Sequence, residues 1–139
     1  MASPQHDARV LVELARSAHE LDQFVVRRQA REPLQHITGK SHFRHITLAV
    51  GPGVFVPRPE TELLAQAGID ALAAGDIAVD LCAGSGAVAL ALATEVVGLE
   101  VHAVELSGDA VAYLRRNVAD VGAAVTVHHA DATGDEVLG

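Results

Sequence analysis

Apolar and polar residues follow two different rhythms along this chain. Over residues 7–31, apolar side chains recur at steps of three and four, which is the spacing of one helix face. This pattern predicts one helix, or two helices broken near Ser17, with Pro33 ending the segment. Residues 41–56 alternate as a strand does and contain Gly-Pro-Gly, which predicts a hairpin of two short strands turning at those three residues.

The second half of the chain alternates strand and helix. A helix is expected to begin at Pro59 and Glu60, where proline and acids suit the first turn, and to continue to about Ala74. The segments that follow are predicted in this order: strand 77–82, helix 86–97, strand 100–105, helix 108–121 and strand 124–129. Such alternation predicts an α/β fold with a parallel sheet and right-handed crossovers.

Composition narrows the class of protein. The chain has 139 residues, half of them apolar, which is enough for one modest domain with a core. No apolar run reaches the length of a membrane span, and the N-terminus has no basic segment typical of a signal peptide. The single cysteine, Cys82, cannot form an internal disulfide. We therefore expect a protein of the reducing cytoplasm.

Charge is unevenly distributed along the chain. Residues 1–60 have eight Lys and Arg against six Asp and Glu, whereas residues 61–139 have two against twelve. The acidic second half argues against non-specific binding of duplex DNA. The mildly basic first part suits an anionic partner, although an ordinary solvated helix surface is the favoured interpretation.

The most informative segment is V-D-L-C-A-G-S-G at residues 79–86. Here an apolar strand enters a glycine turn and a helix leaves it, and nineteen residues after Gly86 the next apolar run ends at Glu105. This is the local arrangement of a site for an adenosine-containing cofactor. Glycine lets the backbone approach the ligand, and the Glu105 carboxylate can accept hydrogen bonds from both ribose hydroxyls.

The spacing also distinguishes between cofactors. A dinucleotide site needs G-x-G-x-x-G, but only Gly84 and Gly86 are present and Ala89 occupies the third position. The acid Asp80 would repel a pyrophosphate, whereas it suits the cationic amino-acid end of S-adenosylmethionine. A third strand ending at Asp131 strengthens this interpretation. A purely structural turn between strand and helix is the weaker alternative.

Longer strings resemble one enzyme family. The segments are R-E-P-L-Q-H-I-T-G at 31–39, F-R at 43–44, V-G-P-G-V-F-V-P-R-P-E-T-E-L-L at 50–64, V-D-L-C-A-G-S-G-A-V-A-L-A-L-A at 79–93, A-V-E-L-S at 103–107 and R-N at 116–117. They resemble the release-factor glutamine methyltransferases, the HemK/PrmC family. P-R-P-E-T joined to the glycine turn is more specific than the turn alone.

The resemblance implies an enzyme that uses S-adenosylmethionine to methylate the side-chain amide of a glutamine in peptide-chain release factors, at N5. It implies a shortened helical segment over 1–40, a β-hairpin linker over 41–58 and the first half of a Rossmann-like, class I methyltransferase domain over 59–139. The family's N-P-P-Y motif, which holds the amide, does not occur in the chain. We therefore expect an N-terminal portion that lacks catalytic residues and is inactive alone.

The same resemblance supplies the candidate site residues. Those expected at the cofactor are Asp80, Cys82, Ala83, Gly84, Ser85, Gly86, Glu105, Asp131 and Ala132. Arg58 and Glu60 are possible pocket residues, with a rigid helix start as an equal alternative. Cys82 lacks an obvious histidine partner, so inert packing is favoured, and Phe43 and Phe55 are expected in the hairpin core. The histidines lack metal-ligand spacing, so no metal site is expected.

Two further functions remain open from the sequence. One is an amino-methyltransferase acting on nucleic-acid bases, and the other is a non-catalytic module that binds cofactor or a partner. The class I fold also predicts that strand 77–82 forms a bare sheet edge, apolar on both faces. Such an edge is expected to cause self-association or aggregation.

Overall fold

The computed structural model describes residues 3–135. Its helices are α1 (Pro4–Leu14), α2 (Ala18–Gln29), α3 (Leu34–Thr38), α4 (Thr61–Ala71), α5 (Ala87–Glu95) and α6 (Gly108–Val121). Its strands are β1 (Lys40–Phe43), β2 (Ile46–Ala49), β3 (Ile77–Leu81), β4 (Glu100–Glu105) and β5 (Val125–His129). Among these described residues, no helix is both long enough and apolar enough to cross a membrane.

The N-terminal segment folds as two helices, because serine side chains start each one. Ser3 accepts a hydrogen bond from the backbone N–H of His6, and Ser17 accepts one from Glu20. The alternative of a break near Ser17 is therefore confirmed. The short helix α3 was not predicted, since five residues are too few to display a helical period.

The hairpin turns at a different place from the one predicted. Strands β1 and β2 pair antiparallel and are joined by Arg44 and His45, so the expectation of a turn at Gly-Pro-Gly was wrong. Arg44 adopts the left-handed region, with φ of 51°, although it is not glycine. Hydrogen bonds from the Arg44 side chain to Glu95 and Gln66 hold it there.

Arg44 fastens the hairpin to the helices of the second half. Its guanidinium donates to both Glu95 carboxylate oxygens at 2.6 and 2.7 Å and to the Gln66 side chain at 2.9 Å. Its backbone N–H donates to Glu62 at 2.7 Å. The hairpin is therefore bound to both α4 and α5 through one residue.

The second half forms the predicted parallel sheet. The strand order is β3-β4-β5, so β3 is an edge among the described strands, as expected for a truncated class I methyltransferase sheet. Helices α5 and α6 pack on one face, over a core of Ala78, Ala89, Leu92, Val101, Ala103 and Leu114. The expected α/β fold is confirmed, and the bounds of β4 and α6 agree with the prediction.

The opposite face of β3 is uncovered in this chain. Ile77, Val79 and Leu81 alternate along that face and are 62%, 52% and 52% exposed. Ala78 points the other way and is buried under the helices. The expectation of a strand apolar on both faces was wrong, because Asp80 shares the helix-covered face with Ala78 and accepts a hydrogen bond from α5.

A second apolar cluster joins the hairpin to the helices. It contains Phe43, Ile46, Leu48, Val50 and Val54 from the hairpin region together with Ala65, Ala87, Leu90, Ala91 and Ala110. The hairpin and helices α4, α5 and α6 therefore share one region of packed side chains. The domain boundaries near residues 40 and 58 stay a prediction.

Candidate cofactor site

The glycine turn follows directly from the end of β3 and leads into α5. Cys82, Gly84 and Gly86 have φ values of 61°, 57° and 92°, so the backbone reverses through three left-handed residues. The Ala83 N–H donates to the Val104 carbonyl at 3.0 Å and the Gly86 N–H to the Ala83 carbonyl at 2.9 Å. These bonds fix the turn against the neighbouring strand.

Cys82 is the exception among the turn's left-handed residues because it carries a side chain. It is exposed, so the expectation that this thiol is packed was wrong. The reason is that the left-handed backbone at Cys82 ends the strand and its alternation. The thiol therefore faces solvent at the turn.

The two glycines serve different physical needs. A Cβ placed on Gly84 would meet no atom within 4 Å, so the space beside it is open to a ligand. A Cβ placed on Gly86 would lie 2.6 Å from Cδ1 of Leu114, which is closer than real contacts allow. Gly86 therefore permits close packing of α6, whereas Gly84 presents bare backbone.

Glu105 lies beside this bare backbone at the end of β4. One carboxylate oxygen accepts from the Gly84 N–H at 2.8 Å and the other from the Ser107 N–H at 2.9 Å. The sequence spacing thus does bring Glu105 to the glycine turn. Each carboxylate oxygen has two lone pairs, so an acceptor position remains on both for a ligand hydroxyl.

Asp80 approaches the same turn from the helix-covered face of β3. Its carboxylate accepts from the Ala89 N–H at 3.0 Å, and so satisfies a free donor in the first turn of α5. Burial raises the pKa of Asp80 to about 6, and the nearby Glu105 charge adds to the rise. A cation placed near this carboxylate would offset both effects.

Asp131 and Ala132 follow β5 at the same edge of the sheet. The Ala130 N–H donates to the Glu105 carbonyl at 3.1 Å, which places this turn next to the end of β4. The Asp131 carboxylate accepts from the Thr133 hydroxyl at 2.7 Å and from the Thr133 N–H at 2.9 Å. These bonds lower the pKa of Asp131, so its charge stabilises its own turn.

Comparison with known proteins places this arrangement in a family. A family model described as "Methyltransferase domain" matches residues 78–137. The release factor glutamine methyltransferase of Streptomyces coelicolor is 58% identical over 112 residues, which cover 78% of this chain and 39% of that protein. The Bifidobacterium longum protein of the same name is 53% identical over 98 residues, covering 68% and 33%.

The chain is a partial member of the release factor glutamine methyltransferase family. It spans about two-fifths of the length of the Streptomyces relative, 39%, and one third of the Bifidobacterium relative, 33%. The identities extend over most of the chain, including the region before the sheet.

Solved structures agree on the fold of this family member. A 16S rRNA N2 methyltransferase of T. thermophilus, solved with AdoMet and guanosine, has a TM-score of 0.57 and 28% identity, covering 70% of this chain and 29% of that one. A tRNA (uracil, C5)-methyltransferase of Pyrococcus abyssi, solved with S-adenosyl-L-homocysteine, has a TM-score of 0.56 and 18% identity, covering 68% and 25%. The likeness shows a Rossmann-like methyltransferase fold.

Arg58 and Glu60 belong to the proline-rich segment between the hairpin and α4. Arg58 lines two cavities of about 600 and 640 Å³, which Pro57 and Pro59 also border. Neither cavity includes any residue of 80–86. Glu60 is exposed, and its carbonyl accepts from the Leu63 N–H at 3.1 Å as α4 begins. The pocket role of Arg58 and Glu60 therefore stays a prediction.

Phe55 was placed wrongly by the sequence analysis. Phe43 is buried, as predicted, but Phe55 is 87% exposed and borders the second cavity. The reason is that β2 ends at Ala49, so strand alternation no longer governs residue 55. The sequence did contain a signal for the exposure of Phe55, because this residue lies in a proline-rich segment three positions before Arg58.

Two of the histidines, His102 and His128, contact each other. His102 contacts Glu100 at 2.8 Å and His128 at 2.9 Å, with the two imidazole rings stacked 5.1 Å apart. Within residues 3–135, no group of three or more His, Cys, Asp or Glu side chains is arranged to hold a metal ion.

Proposed function

We propose that this chain forms the S-adenosylmethionine-binding part of an enzyme that methylates a glutamine side-chain amide in a peptide-chain release factor. The observation that carries the proposal is the Glu105 carboxylate held on the Gly84 N–H beside open backbone. Acid and glycine meet at the carboxyl ends of adjacent parallel strands, where nucleotide ligands bind in such sheets. The names of the relatives support the substrate class.

Each candidate residue has a role that its surroundings allow. Glu105 would accept hydrogen bonds from the ribose hydroxyls while it keeps its two backbone donors. The turn of Cys82, Ala83, Gly84, Ser85 and Gly86 would present backbone to the cofactor. Asp80 would face the ammonium group of the amino-acid end, and Asp131 with Ala132 would border the adenine.

The chemistry that the cofactor supplies is a methyl group on a sulfonium. An amide nitrogen is a poor nucleophile because its lone pair is delocalised, so catalysis depends mainly on positioning. The N-P-P-Y motif that positions the amide in this family does not occur in these 139 residues. Arg58 and Glu60, both exposed, are the candidates of this chain for the substrate side.

The partner and the location belong to the same proposal. A release factor acts on ribosomes in the cytoplasm, where the single exposed thiol of Cys82 would stay reduced. A nucleic acid substrate is not favoured, since residues 61–139 have two Lys and Arg against twelve Asp and Glu. Nucleic-acid binding usually needs the opposite sign of charge.

Calorimetry with S-adenosylhomocysteine tests the cofactor site. Glu105→Ala should weaken binding by about 1–3 kcal/mol, the scale of hydrogen bonds to a charged group. Glu100→Ala is the matched control, because it removes the same side chain from the other end of β4. Equal affinity of both variants and the wild type would remove Glu105 from the site.

A transfer assay separates the enzyme from a binding-only module. With tritiated S-adenosylmethionine, the 139-residue chain should transfer no label to release factor or to DNA, because the amide-holding motif does not occur in it. A chain of this family that includes N-P-P-Y should label release factor alone. Labelling of release factor by the 139-residue chain would show that these residues hold the substrate amide without N-P-P-Y, which contradicts the proposal.

A further inference from the structure

Helix α6 supports the backbone segment that follows the hairpin. Asp109, Tyr113 and Asn117 are spaced four residues apart, so they share one face of the helix. A Cβ on Gly53 would lie 2.7 Å from Cβ of Asp109, and one on Gly51 would overlap the Tyr113 hydroxyl. The two glycines of Gly-Pro-Gly therefore let the backbone lie directly on this face.

Asn117 holds the near end of that segment through its side chain. Its amide oxygen accepts from the Ala49 N–H at 2.7 Å, and its amide nitrogen donates to the Ala49 carbonyl at 3.0 Å. Asn117 is 1% exposed and is the one asparagine of the chain. Both backbone groups of Ala49 are thus bound by a buried side chain from another element.

The same amide also holds the cofactor turn. The second N–H of the Asn117 side chain donates to the Ser85 carbonyl at 2.9 Å, and Ser85 is 2% exposed. A single planar group therefore joins the end of β2 to the glycine turn. Nothing in the sequence pattern required those two segments to meet.

This arrangement makes the positions of the two segments dependent on each other. The three hydrogen bonds share one rigid amide plane, so they are satisfied together at one relative placement of Ala49 and Ser85. A displacement of the turn must either carry the hairpin end with it or leave a buried polar group unpaired, and leaving one unpaired is costly. Gly51 and Gly53 lie against the same helix and extend the dependence along the segment.

We propose that Asn117 is a positioning residue that couples occupancy of the glycine turn to the placement of residues 49–54. The inference rests on the proposed cofactor site and adds a consequence to it. Cofactor held on the turn fixes the segment that leads to Phe55 and Arg58. The surface around these two exposed residues is therefore set before a protein substrate arrives.

Hydrogen exchange with and without S-adenosylhomocysteine tests the coupling in the whole 139-residue chain. The reporters are the Val50 and Val54 amides, which donate to the Gly39 and Gly51 carbonyls and not to Asn117. In the wild type, saturating ligand should slow exchange at the turn and also at these two amides. The expected slowing at the two reporters is on the order of tenfold, within the usual range of coupling between sites.

Two variants separate coupling from a loss of stability. Asn117→Ala should keep ligand protection at Gly84 and Gly86 but lose it at Val50 and Val54. Ile46→Ala removes a buried hairpin side chain that forms none of these hydrogen bonds, so it should keep the response at both places. A response of Val50 and Val54 that persists in Asn117→Ala would overturn the inference.

The wild-type measurement remains decisive if Asn117→Ala does not fold. Ligand protection at the turn without any change at Val50 and Val54 would overturn the coupling and leave the proposed function intact. No binding of S-adenosylhomocysteine by the wild type would overturn the proposed function and the coupling together.

Discussion

The Asp80 carboxyl group has a structural contact with α5 and also a perturbed pKa. It accepts a hydrogen bond from Ala89 at the start of α5, and its pKa is raised to about 6 by burial and by the Glu105 charge. Its charged form is therefore costly to keep in the protein without a ligand. A bound cation would offset that cost, which links cofactor affinity to pH.

We expect cofactor affinity to fall as the pH is lowered through about 6. If the charged form of Asp80 binds, only about one tenth of the molecules are competent at pH 5, and affinity there should be roughly tenfold below its plateau. Calorimetry from pH 5 to pH 8 measures this. Asp80→Asn should flatten the profile, and an unchanged profile would exclude Asp80 as the group responsible.

The same variant should not lower stability at neutral pH. The folded-state pKa of Asp80 is above its ordinary value of 3.8, so this carboxyl favours folding most below pH 3.8 and loses that contribution as the pH rises through about 6. Asparagine keeps an acceptor for the Ala89 N–H and has no charge. Asp80→Asn should therefore melt at the same or a higher temperature at pH 7, whereas Asp80→Ala, which loses the acceptor, should melt lower.

Individual residues were predictable from the sequence where motif and spacing acted together. Glu105 was assigned to the turn because the carboxyl ends of neighbouring parallel strands meet at one edge. Asn117 was noted only in the R-N string that resembles the family, and its role was not predicted because its partners are backbone groups 32 and 68 residues away in the chain. Phe55 was missed because its exposure depends on where β2 ends.

At the scale of elements, the spacing of apolar residues predicted helix and strand bounds best where the element packs against the core. The bounds of β4 and α6 were predicted because both pack against the same apolar layer. The turn of the hairpin was predicted at Gly51–Gly53 and lies at Arg44 and His45, because glycine is used for close approach of the backbone as well as for chain reversal. Arg44 supplies the reversal, and only tertiary contacts explain how a residue with a long side chain is held there.

Two substitutions at Arg44 should separate its side chain from its backbone. Arg44→Ala loses the contacts to Glu95 and Gln66 and keeps a Cβ in a left-handed conformation. Arg44→Gly loses the same contacts but tolerates that conformation. Both should lower the melting temperature, with the alanine variant several degrees below the glycine variant. Equal melting temperatures would mean that the backbone at residue 44 is unstrained.

At the scale of the whole molecule, the exposed edge of β3 should govern behaviour in solution. Its outer backbone groups have no neighbouring strand in the described sheet, and Ile77, Val79 and Leu81 are more than half exposed. An apolar edge of this kind pairs readily with another copy. We therefore expect the 139-residue chain to self-associate as its concentration rises.

Light scattering over a concentration series measures this self-association. Val79→Lys should raise the concentration needed for it roughly tenfold or more, because a charge at the edge disfavours strand pairing. Val12→Lys is the matched control, since Val12 is similarly exposed at 59% but lies on α1. A chain that stays monomeric at all concentrations, or equal effects of the two variants, would contradict the prediction.

The exposed Cys82 makes the glycine turn accessible to chemical labelling. As the single cysteine of the chain, it gives one site for a thiol reagent, and that site lies within the turn proposed to hold the cofactor. A ligand covering the turn should therefore slow alkylation by iodoacetamide, and mass spectrometry would follow that reaction without any engineered label. The wild-type protein thus contains its own reporter of occupancy, by which candidate ligands can be ranked.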